Sequence, residues 1–151
     1  MTTKLKKLGI QLPEVSQPIA NYVKWVRTGN LIYTSGHGPT RSNGELITGK
    51  IGGTLGTIQG YEAARVTGLQ LLATLQAAVG DLSKVKRIVK VIGLVNCTPE
   101  FTEQPAVMNG FSDLMVAVFG ERGKHARSAV GTNALPGNMA VEIEMIVEVE
   151  D

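Results

Sequence analysis

The stretch Lys124 to Val149, KHARSAVGTNALPGNMAVEIEMIVEV, joins an isolated arginine to a strand studded with glutamates. Arg127 has small apolar neighbours in Ala126, Ala129 and Val130. Its guanidinium therefore emerges from a packed sheet rather than a solvated charged face, and a group so placed needs an anionic partner. Glu142, Glu144, Glu148 and Glu150 share one face of the closing strand, with Ile146 as the interruption. If the strands of Arg127 and Glu142 are neighbours, an arginine that binds a carboxylate lies near a carboxylate that manages a water or a proton. Spacing alone leaves a second reading open, a buried salt bridge from Arg127 to Glu142 or Glu144 with no chemical role.

Other chemistry-bearing residues are thinly spread. His37 and His125 have no second metal ligand at zinc-like spacing, so no metal site is expected. Cys97, the single cysteine, reads as a small core residue at the end of a strand rather than as a nucleophile, and it excludes an internal disulfide. The loop GKIGGTLG has glycines at a helix start but departs from the phosphate-cradling pattern GxxxxGK[ST]. It is read as structural.

The elements that must position these residues follow from periodicity. YVKWVRTGNLIYTS, residues 22–35, reads as a hairpin turning at Thr28-Gly29-Asn30. A glycine-rich loop follows, with a short strand near Leu46 and Ile47. Apolar residues at steps of three and four predict a helix from about Thr54 to Val79, stopped by Gly80. Gly52, Gly56, Gly60, Ala64 and Gly68 form a ridge of small residues along it, read as tight packing of helix on sheet. The run KVKRIVKVIGLVNC predicts a long central strand covered on both faces for much of its length. A second helix is expected from about Gln104 to Phe119, with Pro105 in its first turn and Gly120 beyond its end. Arg127 to Gly131 and Val141 to Val149 supply two further strands. The order ββ(β)αβαββ defines an α+β fold, a mixed sheet with two helices on one face.

Composition sets the outer limits. The chain of 151 residues is of single-domain size, and its hydrophobic share of 43% suffices for a core without staples. The mean hydropathy of +0.08 points to surface buried between subunits. A net charge of +2, with lysines grouped at Lys4, Lys6 and Lys7 but not interleaved with aromatics, argues against nucleic-acid binding. That N-terminal group reads as a solvated tail. The apolar run Val91 to Val95 is too short to cross a membrane, and the N-terminus lacks a signal-peptide core, so a mature cytoplasmic protein is expected.

ARSAVGTNALPGNMAVEIEMI resembles the C-terminal signature of the reactive intermediate deaminase family, also called Rid or YjgF-like: A-R-[ST]-x-V, then L-P, then E-I-E. The similarity continues upstream through IANYVKWVRTGNLIYTSGHGP and VKRIVKVIGLVNCTPEFTEQPAVMNGF, covering the chain from about Ile19. Residues 1–18 then form an N-terminal extension to a single domain of residues 1–151.

The resemblance implies a chorismate-mutase-like fold assembled as a homotrimer with clefts between subunits. It implies hydrolytic deamination of small enamine or imine intermediates of the 2-aminoacrylate type to 2-oxo acids and ammonia, without cofactor or metal. Arg127 would clamp the carboxylate and Glu142 would position water. Tyr22, Ser35, His37, Asn109 and Ala129 would line the substrate. Departures fall at Gly131 and Asn133, where the best-studied branch has an acidic and a basic residue, at Ala129, where it has cysteine, and at His37, where it has glutamine. They bear on substrate choice. They also motivate the alternative of a trimeric protein that holds a small carboxylic acid without turning it over. RNA cleavage, an older family label, finds no catalytic histidine pair in the sequence.

Overall fold

A computed structural model describes residues 1–15 and 20–151. Pro18, expected to end the N-terminal extension, and Ile19, where the family resemblance begins, lie outside the described residues. The element order is α1 (Thr2–Lys7), β1 (Trp25–Thr28), β2 (Leu31–Thr34), α2 (Thr57–Val79), β3 (Val85–Asn96), α3 (Gln104–Phe119), β4 (Ala126–Thr132) and β5 (Val141–Val149). The five strands form one sheet in the order β1-β2-β5-β3-β4. Among these described strands β3 and β4 pair in parallel, joined across α3, and the other strand pairings are antiparallel. The result is the mixed α+β sheet expected from the sequence.

Local chemistry explains the boundaries. β1 and β2 join through Gly29 and Asn30, with Gly29 at φ +57°, the left-handed conformation that two-residue hairpin loops demand. α2 begins at Thr57 rather than near Thr54, because Gly56 is extended and its N–H donates to Gln59 Oε1 at 2.8 Å. Gly80 ends the helix at φ +86°. The strand expected near Leu46 reduces to isolated bridges, Thr40 with Leu46 and Thr48 with Met139.

The core lies between the sheet and the two long helices. In β5, Val141, Ile143, Val147 and Val149 are fully buried and Met145 nearly so. Phe111, Met108 and Met115 of α3 and Leu71, Leu72 and Leu75 of α2 close over them. The small-residue ridge has another partner than expected: added methyls at Gly60 and Gly68 would meet Val107 and Leu114 of α3, so the ridge serves helix against helix. α3 makes its own close approach at Gly110, where a Cβ would lie 2.0 Å from the Tyr61 carbonyl oxygen.

Two expectations need correction. The N-terminal segment is not simply a solvated tail: Lys4, Lys6 and Lys7 face solvent, but Leu5 on the short α1 is buried in the core. β3 is central, yet within one chain it is covered on one face. Its reverse face carries Ile92 beside Tyr33 of β2, Val26 of β1 and Val130 of β4, all exposed apolar residues.

Candidate functional site

Arg127 lies on β4, an edge strand, in one row with Val91 of β3 and Met145 of β5. Val91 and Met145 are buried under the helices, so Arg127 also rises on the helix side. There α3 presents Asn109 and Ser112, three residues apart and hence on one helical face. Arg127 Nη1 donates to Asn109 Oδ1 at 2.9 Å and to Ser112 Oγ at 3.1 Å. Both Nη1 hydrogens are thereby engaged. The Nε and Nη2 N–H groups have no partner among the described residues. They form the side-on fork that matches a carboxylate.

Behind Ser112 stands His125, two residues before Arg127. Its Nε2 is 2.8 Å from Ser112 Oγ and its Nδ1 is 2.6 Å from the Gly123 carbonyl oxygen. Burial first, and the Arg127 charge as well, hold its pKa below the ordinary value, against the raising effect of the Gly123 hydrogen bond.

Ala129 follows Arg127 in the same facing row, partly buried against the core, and Gly131 comes next. A side chain at Gly131 would collide with Cys97 Sγ and Gln104 Nε2, 2.7 and 2.9 Å from an added Cβ. Asn133 contributes its carbonyl, which accepts a hydrogen bond from Lys50 Nζ. The departures at Gly131 and Asn133 therefore have local structural partners.

Glu142 belongs to a second cluster. The odd-numbered residues of β5 face the helices, so Glu142 projects from the opposite face, in register with Leu94. Its carboxylate lies over Gly36, where an added Cβ would be 2.3 Å from Oε2. Burial and the neighbouring Glu144 raise its pKa. Ser35 stands beside Gly36 and donates through Oγ to the Val23 carbonyl at 2.6 Å, tying down the segment that carries Tyr22. Tyr22 itself is exposed.

His37 is turned away from both clusters. It is buried, with Nε2 2.8 Å from Thr74 Oγ1 on α2 and Nδ1 2.7 Å from the Ser35 carbonyl oxygen. Burial, the largest influence, lowers its pKa to about 4, with Lys24 adding to the shift. Its visible work is to fasten the Ser35–His37 segment to α2.

The fold thus joins Arg127, Asn109 and Ala129 at one sheet edge and places Ser35, Glu142 and the Tyr22 segment together elsewhere. Among the described residues it forms no Arg127–Glu142 or Arg127–Glu144 salt bridge. The conditional adjacency of their strands fails, because β3 lies between β4 and β5. Ser112, Gly36 and the part played by His125 were not read from the sequence. The i, i+3 spacing of Asn109 and Ser112 and the i, i+2 spacing of His125 and Arg127 are signals that acquire meaning once α3 is known to cover β4.

A mixed sheet of this order, two helices on one face and an arginine anchored at the β4 edge define an α+β protein of the chorismate-mutase-like class. Residues 2–149 match the family described as "YjgF/chorismate mutase-like, putative endoribonuclease". The chain belongs to this YjgF/Rid family. It is 45% identical to protein TCP17 of Trypanosoma cruzi over the whole of this chain and 95% of that one. It is 31% identical to a 2-iminobutanoate/2-iminopropanoate deaminase of Dermatophagoides farinae, covering 93% and 95% of the two chains. The structure resembles that of Atu1372, a protein of unknown function from Agrobacterium tumefaciens, with a TM-score of 0.91, 44% identity and coverage of 98% and 91%. Among the described residues, no helix is long and apolar enough to cross a membrane.

Proposed function

We propose that the protein is a cytoplasmic Rid-type deaminase that hydrolyses small enamine or imine intermediates derived from amino acids, working as a homotrimer whose sites lie between copies. The observation that carries this reading is the Arg127 guanidinium: Nη1 is anchored to α3 while the Nε–Nη2 edge has no partner among the described residues. The described chain provides one clamp but keeps its acid on the other face of the sheet. A second copy supplies the opposing wall through Glu142, Ser35 and Tyr22. The apolar open face with Val26, Tyr33, Ile92 and Val130 gives such copies a surface to bury.

The chemistry needs little more. A 2-aminoacrylate-type enamine takes a proton on its terminal carbon to become the imine. The water oxygen then bonds to the imine carbon, the carbon–nitrogen bond breaks, and ammonia leaves with the 2-oxo acid as product. Arg127 holds the substrate carboxylate, and Glu142 orients the water and exchanges protons with it. The raised pKa of Glu142 suits proton exchange nearer neutrality. His37 supports the Ser35 segment rather than touching substrate. RNA cleavage has weaker support, since His37 and His125 are separately engaged with Thr74 and Ser112 and form no acid–base pair.

The retained alternative is a non-catalytic holder of small carboxylic acids. It is favoured by Gly131, which brings no side chain to the row beyond Arg127 because Gln104 and Cys97 occupy that space. One experiment separates the two: 2-aminoacrylate is generated in situ by a dehydratase and 2-oxo acid release is followed. Acceleration over the spontaneous rate is expected. Its absence for several such substrates, with 2-oxo acids still binding, selects the alternative.

A further inference from the structure

We infer that His125 is a positioning residue which acts through Ser112 to fix the Arg127 guanidinium with its Nε–Nη2 edge toward the ligand. The inference rests on the clamp reading above and deepens it. A carbonyl oxygen can only accept, so the 2.6 Å contact with Gly123 requires the His125 proton to be on Nδ1. In the neutral ring Nε2 is then bare and accepts. Ser112 Oγ, 2.8 Å away, must turn its O–H toward it. That leaves the serine lone pairs for Arg127 Nη1 at 3.1 Å, while Asn109 Oδ1 takes the other Nη1 hydrogen at 2.9 Å.

Without an acceptor at Nε2, the Ser112 hydroxyl would be free to rotate and could direct its proton at the arginine. With it, the hydroxyl has one useful orientation. The chain from Gly123 through His125 and Ser112 to Arg127 therefore has a single direction of donation.

The surroundings favour the neutral ring and pack against it. The Phe111 ring meets it edge-on, 5.7 Å between centroids. Of the charged groups on neighbouring elements, Arg127 on β4 disfavours a second positive charge. Asp113 on α3 is engaged by the Tyr61 hydroxyl at 2.7 Å, and Lys124 pairs with Glu121 at 2.8 Å. Neither carboxylate pairs with the imidazole.

Two substitutions with comparable loss of ring packing separate this role from a merely structural one. His125→Asn can retain a donor near Nδ1 but offers Ser112 nothing, whereas His125→Gln can place an acceptor near Nε2. The first readout needs no ligand: nitrogen-15 NMR of the Arg127 side chain in the full-length assembly. Hindered rotation, with distinct Nη resonances, is expected in the wild type and His125→Gln, and averaging in His125→Asn and Ser112→Ala. The second is calorimetric titration with pyruvate and 2-oxobutanoate, where Kd should be about tenfold weaker in His125→Asn than in His125→Gln at equal Tm. Equal NMR behaviour of the Asn and Gln variants, or an Arg127 already averaged in the wild type, overturns the inference. If the NMR pattern appears but the wild type binds no 2-oxo acid, the positioning role stands and the carboxylate-clamp reading falls.

Discussion

Arg127 and Glu142 stand on opposite faces of one sheet, with β3 between their strands. Two strand spacings put their backbones about 10 Å apart across the sheet, before the three-residue offset in register is added. A small substrate held on the Arg127 fork is then beyond reach of the same chain's Glu142. Joint action of the two residues requires two copies of the chain, which gives the exposed apolar face of the sheet a purpose.

Arg127→Lys keeps the charge and loses the planar fork. The variant should fold and assemble with an unchanged Tm while 2-oxo acid binding weakens by roughly 1–3 kcal/mol, the scale of a charged hydrogen bond. Thermal melting, size-exclusion chromatography and calorimetric titration check this together. An unaltered affinity in the folded variant would remove Arg127 from the site.

Gly36→Ala probes Glu142 without touching it. The added methyl would overlap the Glu142 carboxylate, which is the end of a flexible side chain and can swing aside. Stability should therefore change by less than about 1 kcal/mol, while turnover falls by roughly tenfold or more as the water loses its orienting group. Wild-type kcat in this variant would argue that the position of Glu142 is immaterial.

His37 should make the protein acid-sensitive. Its folded pKa is about 4 and its ordinary value 6.5, so below pH 6.5 the unfolded chain binds the proton more readily. Stability from this group is complete above 6.5 and is lost as pH falls toward 4, by roughly 3 kcal/mol in all. Glu142 has the opposite sign: its contribution is present below about 4.5 and lost as pH rises through its raised pKa. Only partly buried, it is the smaller effect. Urea midpoints between pH 7 and 4.5 should fall steeply in the wild type and less in His37→Gln, and equal slopes would contradict the assignment.

Gly110→Ala tests the helix contact that carries Asn109 and Ser112. Here the obstacle is backbone, the Tyr61 carbonyl oxygen, and it cannot swing away. Overpacking of this kind costs about 1–3 kcal/mol. Urea denaturation should show that loss, accompanied by weaker 2-oxo acid binding as α3 shifts over Arg127.

Much of the architecture was legible because local signals agreed with one another. The hairpin turn at Gly29, the glycine stops at Gly80 and Gly120 and the alternation in β5 each depend on a few adjacent residues. Sheet order does not. Whether β4 lies beside β5 is decided by the crossover of α3 and the parallel pairing with β3, contacts distant in sequence, and the imagined Arg127–Glu142 neighbourhood failed there. His37 looked like a site residue from its place after Thr34-Ser35-Gly36, but side-chain direction at the end of β2 sends it toward Thr74. Ser112 carried no signal alone and took its role from the histidine and arginine that the fold sets around it.

The central claim, a site shared between copies, is tested most directly by complementation. Arg127→Ala and Glu142→Gln proteins should each be inactive toward in situ 2-aminoacrylate. Unfolded together in equal amounts and reassembled, they should form mixed trimers in which about a quarter of the interfaces pair an intact Arg127 from one copy with an intact Glu142 from the next. The account predicts recovery of about that fraction of wild-type activity. Active wild-type protein recovered by the same procedure, with no activity in the mixture despite mixed assembly, would place both residues of each working site in a single chain and contradict it.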